Sequence, residues 1–212
     1  MKKAFIIALI IVALQFVAAV VLYIYLPQQI PMHWNSNGEI DRMGDKLSIF
    51  LLPTISLAIT LMLHWQPRLV PKGENILKSG KLYPILMVLM PLLMAAVLAM
   101  TAAASFGIST PIGAILNGFL GVLMLLIGNY LPKVKQNYTL GIRLSWTLAN
   151  EATWVKTHRF GGWIFIGIGV LFIGAIFIPA PVNALLPLVG LFAGILAITA
   201  FAYITYKKTG HA

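Results

Sequence analysis

Two histidine–carboxylate pairs are the residues best suited to chemistry in this chain of 212 residues. His33 lies eight residues before Asp41, and Glu151 lies seven before His158. An imidazole beside a carboxylate can shuttle protons or begin a metal site. Each pair offers two ligands, however, where a catalytic zinc takes three from the protein, and no H-E-x-x-H run is present. No serine sits in a nucleophile-elbow motif. The lack of cysteine removes disulfides, thiolate metal sites and a cysteine nucleophile. The residues argue against an enzyme, and neither a metal nor another cofactor is expected.

The elements that must hold these pairs are set by composition. Hydrophobic residues make up 60% of the chain and charged residues 9%, with a mean hydropathy of +0.93. A soluble domain carries about 25% charged residues to cover its surface, so lipid must solvate most of this chain. A formal charge of +10 could suggest nucleic-acid binding, but the placement of the charges points to membrane orientation instead. No direct nucleic-acid partner is expected.

Six apolar stretches are expected to span the bilayer, at 4–26, 47–63, 82–104, 112–131, 160–178 and 183–204. Each is near the ~20 residues that cross the hydrocarbon core at 1.5 Å per residue. Pro27, Pro179 and Pro181 follow spans and Pro111 precedes one, whereas Pro53 and Pro91 fall inside spans and should kink them. Lys2 and Lys3 before the first stretch resemble the start of a secretory signal. That run is too long for a signal core and no A-x-A site follows it, so it is read as a span.

Basic residues fix the expected orientation. The N-terminus carries Lys2 and Lys3, the second loop Arg68, Lys72, Lys78 and Lys81, and the tail Lys207 and Lys208. The fourth loop adds Lys133, Lys135, Arg143, Lys156 and Arg159, against only Arg42 and Lys46 on the other side. Basic residues in short loops stay cytoplasmic, so both termini are expected inside a bacterial cytoplasmic membrane. The fold class is thus all-α, a six-transmembrane-helix bundle. Its N-terminal three-span half covers 1–104, with an outer loop at 27–46. The C-terminal half covers 105–212, with an inner loop at 128–159.

Those two loops are the polar ones. The outer loop holds three of the five acids (Glu39, Asp41 and Asp45), and Asn37-Gly38 should turn the chain so that His33 and Trp34 come back towards Asp41. Its plain role is an aromatic anchor with a hairpin and a local salt bridge; its functional role is recognition from outside. In the inner loop, residues 147–159 have helical composition, with Thr147 as a cap. Trp146, Val155 and Trp154 supply an apolar face, which suits an amphipathic helix lying in the interface before the fifth span. The Asn, Gly, Thr and Pro of 128–141 suggest a shaped loop. The second loop, 66–81, reads as a basic connector with turns.

No span as drawn contains an ionisable residue, which argues against an ion-coupled carrier, although a small-solute or peptide transporter remains the alternative of a different class. Gln15 and Asn117 are expected to bond between helices. Gly190 and Gly194, with Gly162, Gly167, Gly169 and Gly174, should let helices approach closely within the chain.

Two motifs carry a resemblance. Pro31, His33, Trp34, Asn35, Gly38 and Asp41, with Lys46 following, resemble a bacterial membrane domain with a Leu-Pro…Pro-x-His…Gly-x-x-Asp…Lys pattern. The longer motif runs through Gly128, Asn129, Pro132, Asn137, Gly141, Arg143, Trp146, Thr147, Trp154, His158 and Arg159. It is similar to the second half of the SdpI family, immunity proteins against the secreted sporulation-delay toxin of Bacillus-type bacteria. The resemblance implies protection from an extracellular peptide toxin that dissipates membrane potential. It also implies inward signalling, in which a small cytoplasmic transcriptional repressor is held at the membrane once toxin binds. On that basis the first set of residues is expected to face the toxin and the second to report inward.

Overall fold

The computed structural model describes residues 1–209. Among the described residues, six helical segments are long and apolar enough to cross a membrane: Lys2–Tyr25, Lys46–Leu69, Leu82–Ser105, Ile112–Lys133, Glu151–Ala175 and Val182–Thr209. At most 39% of the most apolar stretch of any of them is buried inside the protein, so the remaining side chains require lipid. The expectation of six spans in an all-α membrane fold is met.

In chain order the elements are α1 (Lys2–Tyr25), β1 (Gln29–Trp34), β2 (Ile40–Asp45), a 3-10 turn (Lys46–Phe50) and α2 (Leu51–Leu69). Then come α3 (Gly73–Leu77), α4 (Leu82–Ser105), α5 (Ile112–Tyr130), α6 (Ser145–Ala149), α7 (Glu151–Ala175) and α8 (Val182–Thr209). They form two compact units. One comprises Met1–Trp65 and Pro84–Gly113, and the other Gln66–Tyr83 and the chain from Ala114 onward.

In the first unit, the buried stripe of α1 is Ala4, Ala8, Val12, Gln15 and Ala19, mostly small side chains that allow close helix approach. Gln15 donates its Nε2 hydrogen to the carbonyl of Pro91 in α4 at 2.7 Å, the interhelical role expected of it. A proline removes one helical donor, and Pro91 lies inside α4 as expected. Pro53 does not interrupt a helix. It falls in the first turn of α2, where a missing N–H goes unused, so no kink is required there.

In the second unit, α5 and α7 meet at glycines. A Cβ on Gly128 would lie 2.6 Å from the Gly162 carbonyl, and one on Gly169 2.9 Å from the Gly121 carbonyl. Gly190 and Gly194 of α8 press on Leu171 and on Ile164 and Ile168 of α7, so their close packing is intramolecular. Gly167 and Gly174 face open space. Asn117 in α5 donates to the Asn183 carbonyl of α8 at 3.1 Å, again bonding between helices.

The helical segment before the fifth span differs from expectation. The chain breaks at Asn150, whose side-chain oxygen accepts the Thr153 N–H at 2.8 Å and starts α7, which runs unbroken to Ala175. Asn150 is therefore the cap rather than Thr147, and only the five-residue α6 stands apart. Trp154 and Val155 do not share an apolar face: Trp154 is buried and Val155 exposed.

Candidate functional sites

The first site is the hairpin of β1 and β2. Its turn is built by Asn35, whose side-chain oxygen accepts the N–H groups of Asn37 (2.9 Å) and Glu39 (3.0 Å). The Asn35 side-chain amide donates to Glu39 Oε2 at 2.9 Å. Gly38 takes φ +80°, a conformation that costs a side-chain-bearing residue strain. Pairing runs from Gln29 opposite Asp45 to Trp34 opposite Ile40, with irregularities on both sides of His33. Met32 and Asp41 are the extra residues, and bulges re-aim the side chains beside them. Here His33 Nδ1 donates to Asp41 Oδ1 at 2.6 Å, both side chains being exposed.

The base of the hairpin is fixed to the helices. Ile30 is buried with Ala19, Leu26, Ile49 and Leu98, and Pro31 beside it is buried too. Gly44 leaves room for Met32, whose Cγ would lie 2.6 Å from a Cβ there. Asp45 accepts the Leu47 N–H at 2.8 Å and starts the 3-10 turn, while Lys46 places its ammonium 4.6 Å from the centre of the Tyr23 ring. The expected return of His33 towards Asp41 is therefore present, and Lys46 belongs to the base rather than to the tip.

The second site is the loop between α5 and α7. Asn137 is fully buried and uses its whole amide: Nδ2 donates to the carbonyls of Lys135 (2.7 Å) and Leu140 (3.1 Å). Its Oδ1 accepts the N–H groups of Thr139 (2.8 Å) and Leu140 (2.7 Å). His158 is equally buried. Its Nδ1 donates to the Trp154 carbonyl at 2.9 Å, which leaves Nε2 to accept the Ile142 N–H at 3.0 Å. The Trp154 ring stacks on His158 with centroids 3.9 Å apart and donates its own N–H to the Val134 carbonyl at 2.7 Å. Gly141, at φ +106°, lies where any Cβ would run into His158 Nε2.

Thr147, also fully buried, accepts the Leu144 N–H at 2.9 Å and donates to the Ile142 carbonyl at 2.8 Å. Trp146 packs edge-on against Tyr203 of α8 at 5.6 Å. Asn129, Pro132, Arg143 and Arg159 are exposed, and Arg143 donates to the Tyr138 carbonyl at 2.6 Å. The structure thus separates the expected inner-loop residues. Gly128, Asn137, Gly141, Thr147, Trp154 and His158 build the loop from within, while Asn129, Pro132, Arg143 and Arg159 are left on its surface.

Four residues that tie this loop down escaped the sequence reading. Gln136 donates to the Thr147 and Leu148 carbonyls at 3.0 and 2.9 Å. From the 66–83 segment, Asn75 donates to the Gln136 carbonyl at 2.8 Å and Ser79 Oγ accepts the Lys135 N–H at 3.0 Å. Lys72 also reaches Gln136 Oε1 at 2.9 Å. That segment is therefore more than a connector; its two glycine turns, at Gly73 and Gly80, were the visible signal that it is shaped.

The two histidine–carboxylate pairs end differently. His33 and Asp41 meet, whereas His158 is enclosed by backbone groups and an indole. Among the described residues, no three of His, Cys, Asp or Glu come together as metal ligands. The fold and these sites define a multi-pass cell-membrane protein with a hairpin in one unit and a hydrogen-bonded loop in the other.

Residues 133–207 match the SdpI/YfhL protein family, and residues 10–57 match a domain of unknown function (DUF1648). The chain is 28% identical over 211 residues to "Immunity protein SdpI" of Bacillus subtilis (strain 168), covering 98% of each chain. No solved structure matches it. The resemblance to the SdpI family is thus borne out over residues 133–207.

Proposed function

We propose that this chain is an integral membrane immunity protein that protects its cell from a secreted antimicrobial peptide and relays the encounter to a cytoplasmic repressor. The observation that carries the reading is the end-to-end similarity to an immunity protein, 28% identity covering 98% of both chains. The basic-residue count supports an orientation with the hairpin outside and the 128–159 loop inside. In that orientation the exposed His33–Asp41 pair and Trp34 meet the peptide. The exposed Arg143 and Arg159 offer the cytoplasmic partner a basic surface. Gln15 and Asn117 give transport no support, because each donates to a backbone carbonyl of a neighbouring helix.

The test is survival. A bacterial strain sensitive to the sporulation-delay toxin is given this chain or an empty vector and challenged with purified toxin. Retained membrane potential and viability in the first strain alone are expected. Equal killing, with the protein present at normal abundance in the membrane, overturns the reading.

A further inference from the structure

A cleft of about 290 Å³ lies within the first unit, between the tip of the hairpin and the turn that follows α4. Trp34, Glu39 and Ile40 form one wall, and Ile108, Ser109 and Thr110 the other. Both walls are fixed by the backbone. The hairpin tip is held by the Asn35 bonds. The turn after α4 is closed by Gly107 N–H on the Ala104 carbonyl (3.0 Å) and Ile108 N–H on the Ala103 carbonyl (3.0 Å), with Gly107 at φ +76°. That is the pattern in which a left-handed glycine ends a helix.

The chemistry of the cleft is mixed in a particular way. Ile40 and Ile108 remain 43% and 59% exposed and give each wall an apolar face. Glu39 is the one charged residue among those lining the cleft, and neither Arg42 nor Lys46 reaches it. Glu39 accepts a bond from the neutral Asn35 amide and has no ion pair among the described residues, so its negative charge is available. Small-molecule sites begin at about 300 Å³, so this volume suits one or two side chains of a larger ligand. An uncompensated carboxylate also disfavours the phosphate of a lipid headgroup.

The geometry points to this cleft as a binding site for a cationic, apolar peptide segment, with an aliphatic or aromatic side chain between Trp34 and Ile108 and a neighbouring lysine or arginine on Glu39. Ser109 and Thr110 add polar side chains to the lining. This deepens the immunity reading by giving the outer recognition surface a ligand chemistry, but the binding can be measured without reference to survival.

The full chain, labelled with 5-fluorotryptophan and held in phosphatidylcholine nanodiscs, is titrated with an acetylated Lys-Leu-Lys-Leu-Lys-Leu amide. Trp34→Phe assigns the Trp34 fluorine resonance. A saturable shift confined to that resonance is expected, and a Glu-Leu hexapeptide should leave it unmoved. Glu39→Gln, which keeps an acceptor for Asn35, should weaken binding about three- to fivefold, the scale of one exposed ion pair. Thr110→Trp, which fills the cleft, should abolish binding while the other four tryptophan resonances hold their positions. The proposal is overturned by a shift common to all tryptophans, by equal response to both peptides, by unchanged affinity in Glu39→Gln, or by a Trp34 shift that follows lipid composition instead of peptide. Survival without Trp34-specific binding would sink the cleft alone; binding without survival would sink the immunity reading alone.

Discussion

Asn137 and His33 are both polar loop residues with good partners, yet their surroundings set opposite expectations for mutation. Removing the Asn137 side chain leaves the half-buried N–H groups of Thr139 and Leu140 without this acceptor, at about 1 kcal/mol or more for each. Asn137→Ala should therefore lower the melting temperature of the solubilised protein and its abundance in the membrane; an unchanged melt would mean the loop reforms around another acceptor. His33 and Asp41 are exposed, and a surface pair contributes only about 0–1 kcal/mol. Replacing both with alanine should leave abundance normal while reducing survival under toxin. Protection equal to the parent would reduce the hairpin to a connector. The sequence showed which residues were unusual but not which were enclosed. Helical i,i+4 spacing allows Trp154 to meet His158, but no spacing rule encodes the Ile142 N–H, sixteen residues away, that completes the enclosure.

At the scale of elements, the hairpin was legible because Asn-Gly admits few other turns, and its bulges were not, because they answer to packing under Met32. The spans were legible from apolar length alone. Their facing surfaces were hidden, since lipid and a neighbouring helix are equally apolar and a span carries no strong periodicity to separate them. Hence the fifth-span glycines were visible as a group while their partners Gly121 and Gly128 were missed. The structure divides them, and the division can be tested. Gly128→Leu and Gly169→Leu would drive a side chain into backbone 2.6 and 2.9 Å from the new Cβ, and each should destabilise by about 1–3 kcal/mol or more. Gly167→Leu and Gly174→Leu meet nothing within 4 Å and should be neutral or slightly stabilising, because leucine favours a helix by roughly 0.8 kcal/mol over glycine. Thermal melts of the four variants in one detergent decide it; the same loss in both pairs would mean that α5 and α7 do not meet at this seam. The boundary at Asn150 has a similar cause. Helical composition ran through it, and only the capping bond to Thr153 shows where α7 starts.

For the whole molecule, six helices are long and apolar enough to cross a membrane among the described residues, and the basic-residue count is the ground for proposing the hairpin outside and the 128–159 loop inside. Reporter fusions test that orientation. Fusions after Lys46 should report from outside, and fusions after Lys81, Lys135 or His211 from inside, although His211 lies outside the described residues. A cytoplasmic signal at Lys46 with normal abundance would reverse the orientation. If the orientation holds, relay across the membrane must be read from residues that can be altered without collapsing the loop. His158 is unsuited to this, since its loss strips the Ile142 N–H of its acceptor and leaves a void beside Trp154. Arg143 and Arg159 are exposed, and among the described residues Arg143 bonds to the Tyr138 carbonyl, which leaves most of its guanidinium to meet an acidic partner. Arg143→Ala with Arg159→Ala should cut toxin-dependent recovery of the repressor in the membrane fraction several-fold and leave killing curves unchanged. Lys133→Ala with Lys135→Ala removes the same charge from the same loop, so it separates a specific surface from general attraction. Parallel losses in recruitment and survival, or no loss in either, would leave the loop with a structural role and remove the relay from the function.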